Sequence, residues 1–400
     1  MNKCYFRSFD VGIGDCCVIR LVKECGEQYV IMVDCGKFTP AVKRYVEGEL
    51  QSHINLLVAT HIDGDHINGC AQMLKKCPNL QIDHIWYNCY GREKKEDETV
   101  ELKEEQKEIL QWVKNALPAE FDAINYKKEI SAEQGKTLAG EILKKEPWRN
   151  AWNIEYITDQ TPNFDLGGGF GKIVLLGPPR DALDEIEKRF KDAFNKYFMQ
   201  VWNDSIRGGE SLSELLIRLA DAYKDKFEKK QISAKSPQKL DAEYVKKMAE
   251  KEGTDTSDTN YSSIAFMLEC GVHKVAMLGD SFAVTLENAI KNKYGEEHKP
   301  LDCDAIKVAH HGSNGNTSKS LLEQINSNRY FIPGGRKDEY PTWGTIGRIA
   351  LSHQEDGKSL IVFSHKGDMS KLINGLDDAE KETLHIETII TEQEYELFEW

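Results

Sequence analysis

Apolar residues along this chain gather into short runs near its two ends and into helical spacing in its middle. Over the first 90 residues, runs at 5–9, 16–22, 29–34 and 55–60 are apolar or alternating, with Gly, Asp and Lys turns between them, which is the pattern of strands. A helix is predicted over 68–76 and a further strand over 82–87. The pattern then becomes a charged helix over 93–117, where residues 93–108 hold eight acidic and four basic side chains. Strands are predicted over 152–158 and 172–177, with Gly167, Gly168 and Gly169 as a turn before the second.

Residues 181–253 read as a helical block, with Leu212, Leu215, Leu216 and Leu219 on one face. Residues 223–252 carry nine Lys against six acids, so the block is expected to be a solvated insertion or a surface for a protein partner. Strand signals resume at 263–269 and 274–278. A helix over 282–292, a strand over 305–309, a helix over 318–326 and a strand over 330–332 follow. The last elements are a helix over 345–352 and strands over 360–363 and 385–391. Two strand-rich halves with helices outside predict one α/β domain over 1–400, with 181–253 and 93–117 as insertions.

Composition narrows the class. The chain has 400 residues, 40% of them hydrophobic, which is enough for a large core. No apolar run approaches the roughly 20 residues of a membrane helix, and the N-terminus reads as a strand rather than a signal peptide. A cytoplasmic protein is expected. The ten cysteines include no C-x-x-C pair and read as reduced, packed thiols. A net charge of −14 opposes a long nonspecific grip on duplex DNA, although bound cations can still supply a local phosphate site.

The densest chemistry lies at Thr60-His61-Ile62-Asp63-Gly64-Asp65-His66, where four metal-ligating side chains follow a strand-like run. Three more strand ends carry similar groups: Asp34 with Cys35 and Gly36, Gly279 with Asp280, and His310-His311-Gly312-Ser313. Loops at strand ends are where a sheet holds catalytic groups rigidly while leaving room for substrate. The remaining histidines (53, 84, 273, 298, 353, 365 and 385) stand alone, and His365 ranks first among them because it follows a strand end.

In this order the motifs resemble those of the metallo-β-lactamase fold superfamily, and most closely the hydrolase domain of competence DNA-uptake proteins. The matching segments are Asp10-Val11-Gly12-Ile13-Gly14-Asp15, His61-x-Asp63-x-Asp65-His66, Asn260-Tyr261-Ser262-Ser263, Gly279-Asp280 and His310-His311-Gly312-Ser313. Gly334-Gly335-Arg336-Lys337 with Tyr340-Pro341 is similar to that family's late Gly-rich segment, where Arg336 and Lys337 face phosphate or solvent. The resemblance implies a four-layer αββα sandwich. It also implies a pair of divalent ions, with His61, Asp63 and Asp280 on one, and Asp65, His66, Asp280 and either His310 or His311 on the other. Asn260 would complete or border the first site, and Asp34 would orient a ligand or the attacking water.

Asp63 stands where the superfamily has His, and no His occurs near Asn260. Oxygen-rich donors move the preference toward Mn²⁺ or Mg²⁺ while still tolerating Zn²⁺, with a single ion as the alternative. Paired divalent ions suit an anionic phosphodiester, because they acidify water and neutralise the leaving oxygen. The expected activity is therefore hydrolysis of DNA or RNA, with Asp34, Asp65 and Asp280 in catalytic roles. Asn260, Ser263, Ser313 and Asn314 would lie near substrate. The alternatives are a small or cyclic nucleotide phosphodiesterase and a non-catalytic binding module.

Overall fold

The computed structural model describes residues 1–88, 138–153, 155–185, 241–297, 299–335, 339–352 and 357–400. The helix predicted over 93–117 and all but the ends of the 181–253 block lie outside the described residues, as do Arg336 and Lys337.

The strands in chain order are β1 (Lys3–Ser8), β2 (Cys17–Val22), β3 (Gln28–Val33), β4 (His53–Ala59), β5 (Gln81–Tyr87), β6 (Phe164–Asp165), β7 (Lys172–Gly177), β8 (Ala265–Cys270), β9 (His273–Met277), β10 (Leu301–Asp302), β11 (Ala305–Lys307), β12 (Ile325–Asn326), β13 (Arg329–Ile332), β14 (Ser359–Phe363), β15 (Ile386–Ile390) and β16 (Tyr395–Glu399). The first sheet has the order β16-β1-β2-β3-β4-β5. The second has the order β15-β14-β13-β11-β9-β8-β7-β6, and β10 pairs with β12 apart from both. Each sheet is mixed. β3, β4 and β5 are parallel in the first, and β9, β11, β13, β14 and β15 are parallel in the second. The remaining pairs in both sheets are antiparallel.

The helices in chain order are α1 (Pro40–Glu47), α2 (Gly64–Lys76), α3 (Leu138–Leu143), α4 (Glu146–Ala151), α5 (Ala242–Ala249), α6 (Asp258–Tyr261), α7 (Ala283–Tyr294), α8 (Lys319–Leu322), α9 (Trp343–Ser352), α10 (Asp368–Asn374) and α11 (Asp378–Thr383). Strand alternation sorts the apolar side chains into separate clusters. On β3, Ile31 and Val33 join Phe6, Leu56, Phe266, Val275 and Phe331 in a cluster drawn from both sheets. Val30 and Met32, on the opposite face of β3, pack instead with Val42 of α1 and Met73 and Leu74 of α2. On the second sheet Met267, Ala276, Ile306 and Tyr330 pack with Val245 of α5, Leu286 of α7 and Ile346 of α9. Strands covered on both faces must be apolar along their whole length, which is why β3 reads as one unbroken hydrophobic run.

Two predicted elements are corrected. Residues 152–158 do not form a strand among the described positions, and only Trp152 makes a single bridge, to Ile85. Side chains take over the edge there: Trp152 Nε1 donates to the Tyr87 carbonyl (2.9 Å), and Tyr87 N donates to Asn153 Oδ1 (2.8 Å). The helix predicted over 318–326 starts with Ser318 Oγ accepting Leu321 N (2.9 Å) but stops after α8, and the chain turns into β12. The nine described cysteines are free thiols, and all but Cys25 are buried. Among the described residues no helix is long and apolar enough to cross a membrane.

One buried cation holds the loops around the later strands. Arg348 on α9 donates to the carbonyls of Thr317 (2.6 Å), Ala249 (3.1 Å), Lys251 (3.2 Å) and Asn314 (2.9 Å), and to Asn314 Oδ1 (2.9 Å). Replacing it with an apolar chain strands several buried carbonyls at about 1–3 kcal/mol each. Arg348→Met should therefore lower the unfolding free energy by about 3–5 kcal/mol in a denaturant titration. A change below about 1 kcal/mol would show that the loops are held by other contacts.

Candidate metal centre

Asp34 follows the end of β3 in a left-handed conformation (φ 58°) and is fully buried. Its carboxylate accepts Thr60 N and Thr60 Oγ1 (2.7 Å each) and lies 2.8 Å from His66 Nδ1. That contact engages the Nδ1 proton and turns Nε2 into the cluster. His61, just past β4, is pinned similarly: Nδ1 lies 3.0 Å from Thr60 Oγ1 and 3.5 Å from Ser263 Oγ. Asp63 sits at the N-cap of α2 without making a cap bond. It accepts Thr259 Oγ1 instead (3.1 Å), with Oδ2 3.6 Å from His61 Nε2.

The backbone of Asp65 is wedged between two glycines. A Cβ on Gly14 or on Gly36 would collide with the Asp65 carbonyl, so both turns must be glycine for α2 to begin here. The Asp65 carboxylate is 30% exposed, the most open of the group, and its Oδ2 lies 3.8 Å from His311 Nε2.

The second sheet supplies the other half. Asp280 follows β9, and its N–H donates to Ser263 Oγ (3.0 Å). Its Oδ2 lies 3.4 Å from His66 Nε2 and 3.9 Å from Nε2 of both His310 and His311. His310 and His311 occupy a 3₁₀ turn beyond β11 with φ of 45° and 50°, a costly pair of left-handed residues that turns both rings toward Asp280. His311 Nδ1 lies 2.9 Å from Asp15 Oδ1 and 3.0 Å from the Pro333 carbonyl. His310 Nδ1 lies 3.1 Å from both Asp255 Oδ2 and Asn316 Oδ1.

Ligand atoms of His61, His66 and Asp280 fall within 4.8 Å of one another, as do those of Asp65, His66 and His311. A third such group, Asp15, Asp34 and His66, contains the carboxylates that hold the imidazoles from behind. The Nε2 atoms of His61, His66 and His311 are buried and make no hydrogen bond. Such a convergence of orphaned donors is what a divalent cation satisfies, so the residues fit one.

Lys307 is a fully buried cation beneath this cluster. Nζ pairs with Asp15, donates to the Gly279 carbonyl (2.9 Å) and lies 3.7 Å from Asp280 Oδ1. Burial opposes its charge, but Asp15 and Asp280 outweigh burial and keep it protonated. Burial also opposes ionisation of Asp15, yet Lys307 and His311 bring its carboxyl down to about 2. His66 is desolvated too, but Asp280 and Asp34 push it well above the usual imidazole range. For His311, burial is overcome by Asp15 and Asp280, which push it up to about 10.

The predicted residues thus divide. His61, Asp63, Asp65, His66, Asp280, His310 and His311 lie around one small volume. Asn260 Nδ2 is turned onto Asp255 (2.7 Å) and borders His310 (3.3 Å). Ser263, expected near substrate, is fully buried beneath Asp280 and His61. Ser313 is nearly buried, and its carbonyl accepts Thr345 Oγ1 (3.0 Å). Asn314, also expected near substrate, is a loop brace between Arg348 and the Lys251 carbonyl. Lys307 and Asp255 were not singled out from the sequence, though a Lys inside the apolar run 305–309 is a signal of a paired buried charge. No protein-family model matches the chain, and a comparison with curated proteins finds no match.

A cation must displace the protons held by His66 and His311. His311, raised from 6.5 to about 10, stabilises the metal-free fold fully below pH 6.5, and that contribution is lost as the pH rises to about 10. Metal-free protein should lose stability across that window. Calorimetry near pH 7.5 should show an enthalpy of Mn²⁺ binding that varies with buffer ionisation enthalpy, because protons are released. A buffer-independent enthalpy would contradict the assignment.

Proposed function

We propose that this chain is a metal-dependent phosphodiester hydrolase, most favourably a nuclease acting on DNA or RNA, on a four-layer αββα sandwich of the metallo-β-lactamase kind. The observation that carries this is the meeting of three buried, unbonded imidazole nitrogens, on His61, His66 and His311, with the carboxylates of Asp65 and Asp280 at one edge of both sheets. Ligands of α/β proteins bind beyond the carboxyl ends of parallel strands, and these residues follow β4, β9 and β11. The cluster drawn from both sheets, with helix-covered outer faces, supports the four-layer arrangement.

In this reading His61, Asp63 and Asp280 hold one divalent ion, with His310 facing the same Asp280. Asp65, His66, His311 and Asp280 hold the other. The donor set of nitrogen and carboxylate oxygen suits Mn²⁺ or Zn²⁺ and admits Mg²⁺. When bound, such ions supply positive charge to phosphate oxygens and acidify water. The chain itself does the positioning. Asp34, Asp15 and Asp255 hold imidazoles from behind, and Lys307 offsets the charge of Asp15 and Asp280. Asp65, the most open carboxylate, would accept a hydrogen bond from the attacking water. A phosphate needs only this local centre, so the net charge of −14 is compatible with a short grip on one or two phosphates.

Protein reconstituted with Mn²⁺, Zn²⁺ or Mg²⁺ should hydrolyse at least one of single-stranded DNA, duplex DNA, RNA, a cyclic dinucleotide or a chromogenic phosphodiester. Asp280→Ala should lower turnover roughly 1,000-fold, a barrier increase of about 4 kcal/mol. Metal-loaded protein that cleaves none of these would favour a binding module, and full turnover by Asp280→Ala would refute the site. Cleavage of cyclic dinucleotides alone would select the small-nucleotide alternative.

A further inference from the structure

Two features of the same rim are unused by the metal centre. Asp10 opens the Asp-Val-Gly-Ile-Gly-Asp turn, and His365 stands alone in sequence. The fold brings them together, with His365 Nδ1 2.8 Å from Asp10 Oδ1. β11, β13 and β14 are consecutive parallel strands. His365, just beyond β14, therefore leaves the sheet at the same edge as His310 and His311 beyond β11. Two strand spacings, roughly 10 Å, separate β14 from β11.

Among the described residues, Gly334 lies against His311 and Gly335 against His365. A side chain on Gly334 would collide with the carbonyls of Ile13 and Gly14 and crowd His311 Nδ1, and one on Gly335 would meet the His365 ring. The pair is also firmly held. Asp10 N donates to Glu392 Oε1 (2.6 Å), Asp10 Oδ1 accepts Gly12 N (3.1 Å), and Ser370 Oγ donates to the His365 carbonyl (2.7 Å). His365 is 24% exposed, and among the described residues its Nε2 makes no hydrogen bond. With Nδ1–H given to Asp10, Nε2 is the atom that faces exchange with a ligand.

We propose that His365, oriented by Asp10, is the proton donor to the leaving oxygen of the phosphodiester. This rests on the hydrolase reading above and adds a residue to it. As water adds to phosphorus, the P–O bond to the leaving group breaks. Its electron pair stays on that oxygen, which takes the proton from Nε2. The neutral imidazole then takes up the proton released by the attacking water, so the cycle consumes water alone. Asp10 is a positioning residue: its carboxylate fixes the ring and turns Nε2 away from the protein.

Proton donation matters only when the leaving group is a poor one. The test compares kcat/KM for an unactivated deoxydinucleotide and for bis(4-nitrophenyl) phosphate in metal-loaded wild type, His365→Ala, His365→Gln and Asp10→Asn. Gln retains a polar group beside Asp10 and serves if the Ala variant folds poorly. Both His365 variants should lose about 100-fold or more on the dinucleotide. On the nitrophenyl ester they should stay close to wild type, with metal content unchanged. Asp10→Asn should move the same ratio in the same direction by less. Equal losses on both substrates, or no loss on either, would overturn the assignment while leaving the hydrolase reading intact. Wild type that cleaves neither substrate would overturn both.

Discussion

An imidazole presents one nitrogen usefully only when the other is spoken for, and this constraint organises the whole rim. Asp34 holds His66, Asp15 holds His311 and Asp255 holds His310, each through Nδ1 at 2.8–3.1 Å. Each ring is thereby fixed in tautomer and in orientation. The resulting Nε2 atoms of all three approach one oxygen, Asp280 Oδ2, within 3.9 Å. Burying these carboxylates is costly, and Lys307 together with protonated His66 and His311 offsets the cost.

The fold serves this arrangement by aligning strand ends. Parallel strands in each sheet deliver their following residues to one edge, and tight backbone brings the loops into contact. Asp34, His310 and His311 adopt left-handed conformations that ordinary loops avoid. Gly14 and Gly36 let the first turn of α2 press against two neighbouring loops. Arg348 and Asn314 then brace the loop that carries His310 and His311. The strain and the buried charge sit at the same place, as expected where rigid positioning outweighs local stability.

Much of this was legible in the sequence, because strands covered on both faces leave unbroken apolar runs. β3, β4, β9 and β14 were found within two residues of their ends, and so were the ligand-rich turns that follow β3, β4, β9 and β11. The strand predicted over 152–158 failed because Trp and Asn side chains satisfy the edge of β5 in place of a ladder. The helix over 318–326 was too long because its apolar residues also serve β12. β16 was missed because Tyr395–Glu399 is short and carries two charges; its position is fixed by pairing with β1, nearly the whole chain away. The supporting residues Asp255, Asn316 and Lys307 gave no motif, since their roles come from long-range contacts that spacing does not encode. Asn260 and Ser263 lie in motifs and Asn314 just past one, yet the structure turns them toward neighbouring protein groups.

In the proposed hydrolase, the orphaned nitrogens and carboxylates at one sheet edge would hold a pair of divalent ions. Anomalous diffraction at the Mn absorption edge from Mn²⁺-soaked crystals tests this most directly. Two peaks are expected, in contact with Asp280 and with His61, His66 and His311. No peak there, or manganese bound only at surface carboxylates elsewhere, would contradict it.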